Sequence, residues 1–118
     1  MKFESIGLGD KEFKFSTLQH AAESAGFIHA GQWDYERVTF DYKMASTEHN
    51  VTYFLRVHAY AIEGDIPSPD AKVKLLDPIL GKHYYPHGVE YENEEFPNTI
   101  VTKSKQKLEL LKEKLEQQ

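Results

Sequence analysis

The sequence predicts an α+β domain: an antiparallel sheet with helices packed on one face, in the order β-α-β-β-β-β-α. Three observations carry this. Segments 36–44 and 51–62 alternate apolar and polar residues with a period of two, and a polar stretch of hairpin length joins them. A capped, alanine-rich helical pattern precedes them, and a longer helical pattern with a leucine stripe closes the chain. The loops between strands are short, which makes the neighbours antiparallel.

Residues 1–8 read as a short strand with imperfect alternation, ended by a Gly9-Asp10 turn. Ser16-Thr17-Leu18-Gln19 has the form of a capping box, with Ser16 as N-cap and Gln19 reaching back to it. Leu18, Ala21, Ala22 and Ala25 then share one helical face. Gly26 stands where a left-handed residue ends a helix, and Phe27 can fold back over Ala22. A strand over 27–33 follows, and Asp34-Tyr35 connects it to 36–44. There Val38, Phe40, Tyr42 and Met44 share one face, and Arg37, Thr39, Asp41 and Lys43 the other. Residues 45–50 form a hairpin loop. In 51–62, Leu55 and Val57 lie on one face, and Phe54, Arg56, His58, Tyr60 and Ile62 on the other. This strand is long, so a bulge or bend is expected in it.

Two prolines exclude regular structure from 64–69. Lys72 to Leu76 read as a further strand whose lysines suit an edge or an exposed side. Asp77-Pro78 opens an irregular region through Phe96. A helix runs from Pro97 to Gln118, with Asn98 or Thr99 as cap and with Val101, Leu108, Leu111 and Leu115 in one stripe around Ser104. Such a stripe docks on a sheet or forms a short dimer seam. The tail past Leu111 is expected to project and leave Leu115 for a partner. The element order resembles the TBP-like arrangement. Val38, Phe40, Tyr42, Leu55, Val57 and Leu18 form the expected core.

The 118 residues suit one domain, 1–118, able to bury a core without a metal or disulfide staple. The absence of cysteine excludes disulfides, iron–sulfur clusters and thiol nucleophiles, and it fits a cytoplasmic location. No apolar run approaches the ~20 residues of a membrane span, and the N-terminus has no signal-like apolar stretch, so no membrane is expected as a partner. A net charge of −5 argues against bulk nucleic-acid binding.

Two groups of residues are candidates for chemistry. The first is Arg56, His58 and Tyr60, placed side by side on one sheet face by the alternation. An arginine fork, an imidazole and a phenol suit a small anionic ligand or a partner protein's carboxylates; the plainer reading pairs Arg56 with Asp41. The second is the segment Gly81-Lys82-His83-Tyr84-Tyr85-Pro86-His87-Gly88. His83 and His87 are four apart, a metal-ligand spacing on a helix, but Pro86 removes the helix that gives this spacing its meaning. His83, Tyr84, Tyr85 and His87 remain ligand-binding candidates, and no metal ligand is assigned. Gln32-Trp33-Asp34-Tyr35-Glu36-Arg37 is rich in the residue types that dominate interfaces, or else it is a hairpin turn closed by Trp33. Phosphate-binding glycine loops and serine nucleophile elbows are absent from the sequence, and no catalytic residue or cofactor is assigned.

Ala30 to Thr39, Tyr60-Ala61-Ile62-Glu63-Gly64-Asp65 and Gly81 to Tyr91 resemble the YugN-like family of Bacillus and its relatives. The resemblance spans most of the chain. It implies a small cytosolic protein, and it brings no activity and no catalytic residues with it. The function expected from the residues is a non-catalytic binding or protein-interaction module, with self-association into a homo-oligomer among the options. The alternative is a small enzyme or metal-dependent protein using His58, His83 and His87.

Overall fold

The computed structural model describes residues 1–30, 34–46, 51–84, 89–90 and 96–117. The elements are β1 (Glu12–Lys14), α1 (Phe15–Ser24), β2 (Ile28–Ala30), β3 (Arg37–Ala45), β4 (Val51–Glu63), β5 (Lys72–Leu75), β6 (Ile79–Tyr84), β7 (Val89–Glu90) and α2 (Asn98–Glu116). The α+β class and the antiparallel sheet are as the alternation predicts.

The strand β4 organises the sheet. One edge pairs with β3 along nearly its whole length, with Phe40 opposite Val57 and Tyr42 opposite Leu55. The other edge is shared end to end: β6 takes Val51 to Arg56, and β5 takes Ala59 to Glu63. A backbone bond from Leu76 N to His58 O (2.9 Å) spans the junction. Outside these lie β2 against β3, β1 against β5 and β7 against β6, all antiparallel. The register of β4 on β5 shifts between Ala61 and Glu63, which is the irregularity its length predicts.

Side chains alternate across this sheet, so one face gathers Val38, Phe40, Met44, Tyr53, Leu55, Val57 and Ala59, all buried. Both helices contribute to the same core, through Leu18, Ala21 and Ala22 of α1 and Leu108, Leu111 and Leu115 of α2. Tyr42 is only partly buried; it packs on Phe27 at 5.9 Å and lies under the Lys107 ammonium at 4.6 Å. Lys107 Nζ also donates to Ala25 O (3.2 Å), tying α2 to the C-terminal end of α1.

The end of α1 follows the sequence closely. Gly26 has φ +94°, Phe27 N donates to Ala22 O (2.9 Å) and Gly26 N to Glu23 O (3.1 Å). This is the Schellman pattern, which only a residue tolerant of the left-handed region closes without strain.

Several expectations are corrected. The first eight residues are turns with a single bridge, Lys2 to Ile79, and they bury Phe3, Ile6 and Leu8 instead of forming a strand. Ser16 is not the N-cap of α1. The helix starts at Phe15, whose N–H donates to Ala71 O (2.7 Å) while Ser16 N donates to Pro69 O (3.3 Å). Loop carbonyls thus satisfy the first amides, and no side-chain cap is used. The position before α2 is Pro97, again without a side-chain cap bond, so neither Asn98 nor Thr99 has the capping role. Leu115 is buried in the core rather than left for a partner. The region after Pro78 is not irregular throughout. Ile79 to Tyr84 form β6, where Gly81 sits opposite Phe54 and breaks the apolar pattern that would mark a strand.

Candidate functional site

The helices leave the second sheet face uncovered. Its central rows come from β4, which presents Phe54, Arg56, His58 and Tyr60 opposite Lys43, Asp41, Thr39 and Arg37 of β3. Arg56 and Asp41 are joined: Nε donates to both carboxylate oxygens, at 3.0 and 3.2 Å. The guanidinium also lies over the Phe54 ring, 5.4 Å from its centroid. Asp41 is nearly buried although it faces away from the helices. Burial raises its pKa above the ordinary carboxylate value, and Arg56 pulls the other way. Arg56 therefore stabilises a buried carboxylate, which is the plainer of the two readings of this residue.

His58 shares a hydrogen bond with Thr39, Nδ1 to Oγ1 at 3.0 Å. Burial, followed by the charge of Arg56, holds its pKa below the ordinary 6.5; Asp41 acts in the opposite direction and Arg37 adds to the lowering. The native state therefore binds the His58 proton more weakly than the unfolded chain. Stability should fall as pH drops below about 6.5. We expect His58→Gln to lose less of its melting temperature than the wild type between about pH 7 and about pH 5. Equal slopes in the two proteins would refute the assignment.

His58 and His83 do not converge. His83 lies opposite Thr52 and packs edge-on against Phe54 at 6.1 Å. It is six residues from His58 along β4, about 20 Å at about 3.3 Å per residue. Tyr85 and His87 lie outside the described residues, as do the side chain of Tyr84 and Trp33 of the hairpin segment. Among the described residues, no group of three His, Asp or Glu is close enough to hold a metal ion. No buried side-chain nitrogen or oxygen among them lacks a hydrogen-bond partner.

At the end of the bare face beyond His58 the surface folds into an open cleft of about 1050 Å³. Arg37, Thr39, His58 and Tyr60 line its sheet side. Two loop segments, 34–36 and 63–65, form its rim, and two backbone bonds lock them together. Ala61 N donates to Glu36 O (2.7 Å), and Ile66 N to Tyr35 O (3.0 Å). Five large hydrophobic side chains are exposed among the described residues, and three of them line this cleft: Tyr35 (61%), Leu76 (47%) and Ile62 (41%). A fourth, Ile28, stands opposite Asp41 on the same sheet face. Reading the sequence by alternation finds His58, Tyr60 and Ile62. It does not join them to Asp34, Tyr35 and Glu36 of the interface-rich segment, and it misses Leu76, Glu63 and Asp65, because loop contacts and the β4–β5 junction gather these rather than spacing.

An antiparallel sheet with helices on one face and a cleft on the other defines a small α+β domain. The chain belongs to the YugN-like family, whose model matches residues 4–114. It is 53% identical over 106 residues to the uncharacterized protein YlbA of Bacillus subtilis (strain 168), covering 89% of this chain and 87% of that one. It is also similar to the crystal structure of the uncharacterized conserved protein YugN from Geobacillus kaustophilus HTA426. That match has a TM-score of 0.85 and 46% identity, and it covers 99% of this chain and 96% of the other. Of the three stretches that carry the family resemblance, 30–39 and 60–65 supply every residue lining the cleft except His58, Ala59 and Leu76.

Proposed function

We propose that the protein is a non-catalytic binding module and that the cleft on the bare sheet face is its ligand surface. One observation carries this reading: Tyr35, Ile62 and Leu76 are exposed together around one cleft on the face that the helices leave open. Covering apolar surface gains about 25 cal/mol per Å², and clustered exposed apolar side chains mark interaction sites. Acid–base or nucleophilic catalysis needs groups held within hydrogen-bond reach of one another. Here His58 is bonded to Thr39, and no rim carboxylate is hydrogen-bonded to it. The partner we favour is a protein. Rim carboxylates disfavour nucleic acid through phosphate repulsion, and no helix among the described residues is long and apolar enough to cross a membrane. The cytoplasm is the compartment we assign, which fits a chain without cysteine.

The test is site-specific photocrosslinking in cells. A photoreactive side chain replaces Ile62 or Leu76 in the cleft and, as a control, Glu109 on the exposed side of α2. Discrete adducts from the cleft positions alone are expected. Absence of adducts there, or the same adducts from position 109, would reject the cleft as the ligand surface.

A further inference from the structure

We propose that the occupant of the cleft is a segment of a partner protein in which an apolar residue is flanked by lysines or arginines. This rests on the reading of the cleft as a ligand surface and goes further by naming the chemistry of what fills it. The apolar part of the cleft is Tyr35, Ile62 and Leu76. Its charged part is Asp34, Glu36, Glu63 and Asp65, against a single arginine, Arg37. Four acids elsewhere are paired: Asp70 with Lys14, Asp41 with Arg56, Glu12 with Lys72 and Asp10 with Lys74. None of the four cleft acids has such a partner among the described residues. The one bond that Asp34 makes is to its own turn, accepting from Glu36 N at 2.8 Å.

On the neighbouring strand Lys72 stands opposite Glu63 and Lys74 opposite Tyr60, but their ammonium groups pair with Glu12 (3.5 Å) and Asp10 (4.0 Å). Gly31, Gln32 and Trp33, which precede Asp34 and lie outside the described residues, carry no charge. His58 is held toward its neutral form by burial and by Arg56. Unpaired carboxylates around a concave apolar surface focus a negative potential and raise the local concentration of cations. They also choose among partners, since like charges brought together are penalised. On the adjoining part of this face the sequence offered an anion site through Arg56, but that guanidinium is engaged by Asp41, and the unpaired charge of the cleft has the opposite sign.

The size and rigidity of the cleft favour a peptide segment. Its volume of about 1050 Å³ is at the upper end of small-molecule sites. The two rim segments are locked by the Ala61–Glu36 and Ile66–Tyr35 backbone bonds, so little ordering is needed on binding. A second copy of the chain fits less well. Lysines are abundant on α2, but its Leu108, Leu111 and Leu115 are turned into the core, which leaves the charge without the apolar residue.

The experiment uses the full chain, isotopically labelled, and two nonapeptides at millimolar concentration. Each has a central leucine, flanked by four lysines in one and four glutamates in the other. Backbone amide shifts should move at Tyr35, Ile62, Glu63 and Asp65 with the lysine peptide, and the affinity should fall with salt. Glu36→Lys combined with Glu63→Lys should weaken lysine-peptide binding by ~tenfold or more. Glu63→Gln is a milder variant, expected to weaken it less, in case the double variant does not fold. Shifts from the glutamate peptide that equal or exceed those from the lysine peptide would overturn the proposal, as would no shifts from either. Self-association abolished by Ile62→Asp would replace the peptide with a second copy and overturn it too. If crosslinks form at Ile62 while the lysine peptide does not bind, the occupant is wrong and the cleft stands. If both fail, the reading of the cleft fails with the proposal.

Discussion

Truncating Leu55 to alanine is expected to lower the free energy of unfolding by about 2–5 kcal/mol. Leu55 is fully buried and sits in the middle of the sheet, opposite Tyr42 of β3 on one side and Leu80 of β6 on the other. Its removal opens a void between three strands and the helices above them. Strands held by ladders on both edges collapse poorly into such a void, so the cavity adds to the lost transfer free energy. Urea unfolding measures the effect as a shift of the midpoint at constant slope. A loss below about 1 kcal/mol would mean that Leu55 is not in the core.

Arg56→Ala is the second large effect, and it separates a structural arginine from a ligand-binding one. It leaves Asp41, nearly buried, without its base. Losing one partner of a buried pair is costly because the other is left uncompensated. Arg56 itself remains about a quarter exposed, so the expected loss near pH 8 is about 2–3 kcal/mol. The sign with pH follows from Asp41. Its folded-state pKa already lies above the ordinary value, and loss of Arg56 raises it further. The native state then binds the proton more tightly than the unfolded chain, so the deficit should shrink as pH falls through that raised pKa. Asp41→Asn in the same chain should recover most of the stability at high pH. Unchanged stability in Arg56→Ala would return Arg56 to the set of ligand-binding residues.

The sequence reading succeeded where periodicity and burial coincide. The alternation of β3 and β4, the Schellman end of α1 and the leucine stripe of α2 each depend on residues close in sequence, and each is present. It failed where a distant segment supplies what a local side chain was expected to give. The first amides of α1 bond to Ala71 and Pro69, so Ser16 is not needed as a cap. Strand β6 depends on the edge of β4, and Gly81 opposite Phe54 removes the apolar alternation that would reveal it. The bare sheet face, with the cleft at its end, was legible only in pieces. Arg56, His58, Tyr60 and Ile62 followed from alternation, but pairing Arg56 with Asp41 and joining 34–36 to 63–65 require the register.

The position of α2 at the end of the order has a consequence for synthesis. The sheet can complete its ladders once residue 90 has emerged, since every strand is then present. Its apolar face still lacks Leu108, Leu111 and Leu115. At about 5–20 residues per second, the 19 residues of α2 take roughly 1–4 s to make. Collapse of a chain this size takes at most about 10–100 μs. For that interval the apolar side of the sheet is covered by α1 alone, and exposed apolar surface of this kind is where chaperones find clients and aggregates begin. A chain truncated before Leu108 would keep that surface exposed permanently.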